Sequence, residues 1–224
     1  MTIKEYREFG IKLSEELIKL IPIISSQDHY EGRENAKKTE KEWIRKFPDT
    51  FIFEGKEAKI AIPEEDDRSW IDFSIAYKEE FFPYNFKSAS GATTDNIGGL
   101  KYIPFLIFNE REISYNEKNL TTEIIRFEKE EKVFDSANRD YFLICYCTKD
   151  SSTKIIPLLC IGKDDLKTNP KNLFQANFHT AKIDLDRSLS DGIDMIIEKF
   201  IEYQAKRAGC YLILKDEGII QEQE

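Results

Sequence analysis

The chain has 224 residues, of which 41% are hydrophobic and 12% aromatic, which is enough apolar material for a packed core and excludes a globally disordered protein. No stretch approaches the roughly 20 apolar residues of a membrane span, and the charged N-terminus lacks a signal-peptide core, so we expect a cytoplasmic protein. The formal net charge of -9 counts against nucleic acid as a partner without excluding it, because binding depends on a local basic face.

Two helices are predicted before the first strand. Residues 3–21 repeat apolar side chains at spacings of three and four, with Thr2 as a candidate N-cap and Pro22 at the end. A second helix, mostly charged and therefore exposed, is predicted over residues 28–47 and ends before Pro48. We therefore expect an α-helical segment within residues 1–48.

Short runs of β-forming residues follow the two helices. They predict strands over residues 50–54, 57–63, 69–77 and 81–87. Residues 88–99 are rich in Ser, Thr, Gly and Asn, a composition that predicts a loop.

The second half of the chain mixes helical and strand-like segments. Residues 100–108 are apolar and fit either structure, residues 121–134 and 187–208 predict helices, and residues 141–148, 153–161 and 210–214 predict strands. Helices, a mixed sheet and helices again indicate an α/β or α+β fold with a central mixed β-sheet flanked by helices. We expect one domain over residues 1–224, with its core at about 49–215.

Two of the predicted strands bring a carboxylate, an amide and an ammonium group together. Asp72 alternates with apolar residues on the first strand, and Asn85 and Lys87 do so on the second, so each lies on the polar face of its strand. If the strands form a hairpin that turns near residues 78–79, Asp72 lies opposite Asn85, because the two positions are equally far from that turn. Side chains paired in this way lie about 5 Å apart at Cβ.

Such a patch suits the hydrolysis of a phosphodiester. The carboxylate of Asp72 can bind Mg²⁺, to which Asn85 can add a neutral carbonyl oxygen. The metal would polarise the scissile phosphate and lower the pKa of a bound water molecule. Lys87 can position that water molecule and stabilise the charge that builds on the phosphoryl oxygens. The spacing is not specific by itself, and from spacing alone an ordinary hairpin with a solvated polar face is the more common explanation.

The segment resembles the core of the PD-(D/E)xK nuclease superfamily, in which a first Asp is followed on the next strand by acid-x-Lys. It is closer to type II restriction endonucleases that carry Pro-x-Asn-x-Lys there and then a polar loop ending in Asp-Asn, which here are Pro83, Asn85, Lys87 and residues 93–99. The specific similarity covers about residues 69–109, and residues 169–177 are also similar to a stretch of such enzymes.

This resemblance implies a restriction-endonuclease-like core and hydrolysis of double-stranded DNA at specific sequences, leaving a 5′-phosphate. It implies Mg²⁺ as the cofactor, held by Asp72 and Asn85, with Asp72, Asn85 and Lys87 as the catalytic residues. It also implies a homodimer, because palindromic sites are matched by two-fold protein symmetry.

Candidate DNA contacts come from two segments. The segment 88–99 offers hydroxyl, amide and carboxylate side chains, namely Ser88, Ser90, Thr93, Thr94, Asp95 and Asn96. Gln175 and Asn177 are amides that can read adenine or can equally be turn residues. The lysines of residues 154–182 are expected to form a local positive face.

Asn85 departs from the superfamily pattern, in which an acid is usual at this position. Three explanations are open: the subgroup uses Asn natively, which we favour; an inactivating Asp-to-Asn change was engineered; or the chain is a degenerate, non-cleaving relative. Asp95, Glu40 and Glu42 are candidates for a missing carboxylate, although a solvated helix face explains the two glutamates more simply. The alternative functions are a non-catalytic DNA-binding or interaction module and a structure-selective repair nuclease.

Overall fold

The computed structural model describes residues 1–24, 32–64, 69–89, 95–111, 116–130, 137–169 and 171–220. The helices within these ranges are α1 (Ile3–Leu20), α2 (Gly32–Ile44), α3 (Ile103–Phe108), α4 (Glu117–Lys129), α5 (Leu189–Ala205) and α6 (Ala208–Asp216). The strands are β1 (Thr50–Phe53), β2 (Lys56–Ala61), β3 (Phe73–Tyr77), β4 (Glu80–Ala89), β5 (Asp95–Gly98), β6 (Phe142–Cys147), β7 (Thr153–Pro157), β8 (Lys167–Asn169) and β9 (Asn172–Ala176).

The main sheet has six strands in the order β1–β2–β3–β4–β6–β7. All neighbours are antiparallel except β4 and β6, which run parallel because the chain between them, including α3 and α4, returns to the starting edge of the sheet. The predicted mixed α/β architecture, with a central mixed sheet flanked by helices, is therefore confirmed.

The hairpin of β3 and β4 has the predicted register. Its two turn residues, Lys78–Glu79, both have positive φ angles, 50° and 68°, as a two-residue hairpin turn matched to strand twist requires. Phe73 pairs with Tyr84, which places Asp72, just before the strand, opposite Asn85. The predicted strand over residues 69–77 starts later than expected, at Phe73.

The main sheet separates two hydrophobic cores. On one face, α1 and α2 pack their apolar side chains, among them Tyr6, Leu13 and Trp43, on the aromatic residues of β3 and β4. On the other face, α3, α4 and α5 cover the sheet together with a second, smaller sheet. The predicted N-cap of α1 is confirmed, because Thr2 and Glu5 form a reciprocal capping box.

The smaller sheet corrects the prediction of a loop over residues 88–99. Residues 88–89 continue β4, and residues 95–98 form β5, which pairs with β9 in a sheet of order β5–β9–β8. Composition misleads here because β5 pairs with residues 76 to 81 positions away, and the hydrogen bonds of that pairing cannot be predicted from a polar, Gly-containing segment. Residues 90–94 lie outside the described ranges.

Two further strand predictions, over residues 210–214 and 153–161, need correction. The strand predicted over residues 210–214 is wrong, because that run lies in α6, a helix that packs against α4 and α5. Residues 100–108 form a 3₁₀ turn followed by α3, and β7 ends at Pro157 rather than at residue 161. None of the described helices is long and apolar enough to cross a membrane.

A buried ion pair joins α1 to the start of β6. Arg7 Nε donates to Asp140 Oδ2 at 2.9 Å, and both side chains are 0% exposed. The other carboxylate oxygen, Oδ1, accepts from the backbone amides of Tyr141 at 2.7 Å and Leu159 at 3.0 Å. Arg7 also donates to the carbonyl oxygen of Leu185 at 3.1 Å. This carboxylate is therefore compensated by its own chain.

Candidate active site

Two hydrogen bonds to β4 fix Asp72 at the open end of the β3–β4 hairpin, one from its backbone amide and one to its side-chain carboxylate. Its amide donates to the carbonyl oxygen of Tyr84 at 3.0 Å, and its Oδ2 accepts from the amide of Phe86 at 2.6 Å. Burial raises the pKa of the Asp72 carboxyl, against the opposing effects of the Lys87 charge and of the Phe86 hydrogen bond. The net direction of the shift is upward, and among the described residues the Phe86 amide is the one hydrogen-bond donor to this carboxylate.

Asn85 lies on β4 with an unused acceptor. It pairs with Leu143 of β6, on the face that α3, α4 and α5 cover, and is 8% exposed. The Tyr141 hydroxyl donates to the carbonyl oxygen of Trp70 at 2.6 Å and so accepts the hydrogen bond that joins it to the Asn85 side chain. Asn85 Oδ1 is buried and has no hydrogen-bond partner among the described residues, which costs about 1–3 kcal/mol. A cation or an external donor would remove that cost.

Lys87 follows Asn85 by two positions and therefore lies on the same face of β4. Lys87 is half-buried. Its positive charge opposes the rise that burial causes in the pKa of both the Asp72 and the Glu40 carboxyl. Within the part of the chain that the structure describes, its ammonium group forms no hydrogen bond or ion pair. It is thus attracted to two carboxylates without being bound to either.

Glu40 of α2 brings a second carboxylate to Asp72. The pKa of its carboxyl is raised to about 7, chiefly by burial and then by the negative charge of Asp72, while Lys87, Lys37 and Lys41 act in the opposite direction. A carboxyl that titrates near neutrality beside another carboxyl is a frequent feature of functional sites.

The structure thereby separates the two glutamates that the sequence left equivalent. Glu42 is exposed and lies 4.0 Å from Lys38, one turn earlier on α2, as expected of a solvated helix face. Glu40 is half-buried against the hairpin instead. No spacing rule distinguishes them, because their difference depends on how α2 packs on the sheet.

A cleft of about 750 Å³ opens between α2 and the segment that leads into β3. This volume is within the usual range for small-molecule sites, roughly 300–1,000 Å³. Its lining combines three carboxylates with two cationic side chains and apolar walls, and consists of Glu40, Lys41, Ile44, Arg45, Ile62, Pro63, Glu64, Ser69, Ile71 and Asp72. An anionic group with an apolar neighbour would find complementary surfaces here once the carboxylates are neutralised.

The oxygen donors at this cleft fit Mg²⁺. Among the described residues no group of three or more His, Cys, Asp or Glu side chains has the arrangement of a metal site, so a third protein ligand would have to be of another kind. The Oδ1 of Asn85, which has no hydrogen-bond partner among the described residues, has the chemistry of such a ligand. Mg²⁺ keeps several water molecules and is commonly held by one or two carboxylates, so Asp72 and Glu40 with one amide oxygen suffice.

The predicted DNA contacts are not all exposed. Ser88 lies on the face of β4 opposite Lys87, and its hydroxyl is buried with no hydrogen-bond partner among the described residues. Asn96 is exposed on β5, and Gln175 is half-buried on β9. Asn177 closes a turn, since its Oδ1 accepts from the amide of His179 at 3.1 Å. Ser90, Thr93, Thr94 and the side chain of Asp95 lie outside what the structure describes.

Two of the lysines predicted to form a positive face over residues 154–182 have partners within the protein. Lys154 is half-buried and donates to the carbonyl oxygens of Phe178 at 2.9 Å and Ala181 at 3.2 Å. Lys163 forms an ion pair with Glu198 at 2.7 Å. Both charges are therefore engaged by the protein itself.

Comparison of the chain with protein-family models and with curated proteins found no match.

Proposed function

We propose that the protein is a Mg²⁺-dependent nuclease that hydrolyses double-stranded DNA at specific sequences, as type II restriction endonucleases do. The observation that carries the proposal is the convergence of Glu40 and Asp72 on one cleft next to Lys87. Two carboxylates in a partly buried site repel each other unless a cation lies between them. A cation site beside the Lys87 ammonium group, which forms no hydrogen bond or ion pair with the described residues, supplies what phosphodiester hydrolysis requires.

Each side chain has a distinct task in this reaction. Glu40, Asp72 and the Oδ1 of Asn85 would hold Mg²⁺, which when bound polarises the scissile phosphate and acidifies a water molecule. Lys87 Nζ would either donate to a phosphoryl oxygen, and so stabilise the negative charge that develops on the phosphoryl oxygens, or donate to the attacking water and position it. The water oxygen attacks phosphorus and the 3′ oxygen leaves, which yields a 5′-phosphate and a 3′-hydroxyl.

The position of Glu40 supports Asn85 as the native residue of an active site. An acid at position 85 would add a third carboxylate to a pair whose pKa values are already raised, both by burial and that of Glu40 also by the negative charge of Asp72. With Glu40 supplying the second negative charge, an amide at position 85 adds an oxygen ligand without adding repulsion. A site that had lost its catalytic activity would not need to keep two carboxylates, those of Glu40 and Asp72, at one cleft.

We further propose that the enzyme acts as a homodimer in the cytoplasm. Cutting both strands of a palindromic site takes two active sites related by a two-fold axis. Each copy would then present one cleft to one strand.

Digestion of a fully sequenced plasmid with Mg²⁺, followed by mapping of the cut ends, tests the function. We expect discrete fragments with 5′-phosphates, an absolute requirement for Mg²⁺, and loss of cleavage in Glu40→Gln. Glu42→Gln is the matched control on the same helix and should cleave as the wild type does.

Two results would overturn the proposal. DNA binding without cleavage would indicate a non-catalytic DNA-binding module. Nicking confined to branched or flapped DNA would indicate a structure-selective repair nuclease.

A further inference from the structure

Three amide side chains form a hydrogen-bonded row across the smaller sheet. Asn169 Nδ2 donates to Gln175 Oε1 at 2.5 Å, and Gln175 Nε2 donates to Asn96 Oδ1 at 2.8 Å. This amide row (Asn169, Gln175 and Asn96) crosses β8, β9 and β5 in turn and ends at the exposed Asn96. Because Gln175 holds the amide of Asn96 from one side, Asn96 is oriented before any ligand arrives, which lowers the entropy cost of binding.

Asn96 keeps both kinds of hydrogen-bonding group available. Its Nδ2 carries two protons and has no partner among the described residues, and its Oδ1 retains a second lone pair beyond the bond from Gln175. A planar amide with one donor and one acceptor matches the major-groove edge of adenine, which offers the N6 amino group and the N7 acceptor. Guanine presents two acceptors there, O6 and N7, and would set an oxygen against the Asn96 carbonyl.

Two lysines beside the amide row are free to meet phosphates. Lys167 is the Cα partner of Gln175 across β8 and β9, and Lys171 lies in the connection between these strands. Both are exposed, and neither forms an ion pair within the described ranges. The nearby Lys163 and Lys206 are instead paired with glutamates at 2.7 Å each. The positive charges of Lys167 and Lys171 therefore lie next to the amide row without an ion-pair partner among the described residues.

The amide row is fixed relative to the proposed active site. β5 follows β4 in the chain, and β9 packs its buried residues, including Phe174 and Ala176, into the core that also holds Tyr141, the hydrogen-bond partner of Asn85. A register shift in β5 directly after Asn96 adds local twist, a feature that often re-aims side chains near functional sites.

We propose that Asn96 reads an adenine in the major groove of the DNA duplex that this enzyme cuts. Gln175 and Asn169 act as positioning residues that hold Asn96 in plane. Lys167 and Lys171 bind the flanking phosphates, which carry no sequence information. The inference rests on the proposed function, because it requires a duplex DNA substrate.

Binding measurements with altered bases test the inference. Duplexes that bind the wild-type protein are selected, without Mg²⁺, from a pool of short duplexes with a randomised centre. Each adenine of the selected site is then replaced in turn by 7-deazaadenine, which lacks the N7 acceptor. At one position the replacement should weaken wild-type binding by at least about fivefold, the lower limit for a bidentate base contact. The binding of Asn96→Ala should not respond to that replacement.

Two further variants separate positioning from phosphate binding. Gln175→Ala should lose part of the discrimination at the same adenine while its thermal unfolding stays as in the wild type. Lys171→Ala should weaken binding to all duplexes alike and lower the salt slope by about 1, whereas the paired Lys163→Ala serves as its control.

The outcomes distinguish this inference from the function on which it rests. If the protein cuts duplex DNA but Asn96→Ala keeps the full response to 7-deazaadenine at every position, adenine reading by Asn96 is overturned and the nuclease stands. If the protein does not bind duplex DNA, both are overturned.

Discussion

Asp140 and Asp72 are both aspartates whose carboxyl pKa is raised by burial, yet their surroundings differ in kind. Asp140 is met by the guanidinium of Arg7 and by two backbone amides, all within 3.0 Å. Asp72 has one backbone amide, from Phe86, and shares its cleft with a second carboxylate, Glu40. The first carboxylate thus has a guanidinium group and two amides as direct partners, whereas the second has one amide and a nearby ammonium group, that of Lys87.

This difference separates a structural ion pair from a candidate site. A buried charge that lacks partners destabilises the fold, so a chain keeps one only where something else offsets the cost. At Asp140 removal of a partner should damage folding. At Asp72, Glu40 and Lys87 removal of a charge should damage activity and leave folding intact or improved.

The largest expected effect is on stability at the Arg7–Asp140 pair. Arg7→Met leaves Asp140 buried without its cation, so we expect a loss of about 3–5 kcal/mol in the free energy of unfolding, measured by urea denaturation. Asp72→Asn should not lower stability. The control Lys4→Met, which removes an exposed ion pair with Asp186, should leave the denaturation midpoint unchanged. Equal losses in Arg7→Met and Asp72→Asn would erase the distinction.

The next largest effect is on catalysis at Lys87. Lys87→Ala removes the donor to the phosphoryl oxygen or water, so the cleavage rate should fall by about 10²- to 10³-fold. The melting temperature should stay near that of the wild type, because Lys87 engages no described residue. Lys59→Ala, an exposed lysine of β2, is the control and should cleave normally. Turnover of a folded Lys87→Ala protein at the wild-type rate would remove Lys87 from the active site.

A smaller effect is the pH dependence that Glu40 gives to stability. Its folded pKa of about 7 lies above the ordinary 4.5, so its contribution is fully present below pH 4.5 and is lost as pH rises to about 7. The difference amounts to at most about 3 kcal/mol. In EDTA, Glu40→Gln should therefore gain stability over the wild type between these pH values. Parallel stability curves for the two proteins would show that Glu40 is not in the repulsive environment described.

The features that could be predicted from the sequence are those that depend on residues close together in the chain. The capping box of α1, the apolar stripe behind it and the turn at residues 78–79 are local, and they suffice to predict the first helix and the pairing of residue 72 with residue 85. Spacing alone leaves open an ordinary hairpin with a solvated polar face. Instead Ser74 and Asn85 are buried, since helices and the smaller sheet cover it.

What the sequence does not anticipate depends on long-range packing. β5 and β9 pair across the intervening α3, α4, β6 and β7, and no local preference of a Thr-, Asn- and Gly-rich segment indicates that pairing. The choice of Glu40 over Glu42 follows from the direction in which α2 meets the sheet. The strand predicted at residues 210–214 failed because a short apolar run fits a buried helix equally well.

The proposal that the cleft of Glu40 and Asp72 binds Mg²⁺ is tested by calorimetric titration of the protein with Mg²⁺ at pH 8. The titration is done with and without a DNA duplex of the selected sequence. We expect weak binding to the free protein, because one ligand is a neutral amide, and tighter binding with DNA, whose phosphate supplies a further negative oxygen. DNA must then bind more tightly with Mg²⁺ by the same factor. Glu40→Gln and Asp72→Asn should each reduce Mg²⁺ affinity at least about tenfold, the lower end of the loss caused by removing even an outer-shell partner of a metal ligand, and Glu42→Gln should not. Mg²⁺ affinity that is unaffected in both Glu40→Gln and Asp72→Asn would contradict the assignment of this cleft.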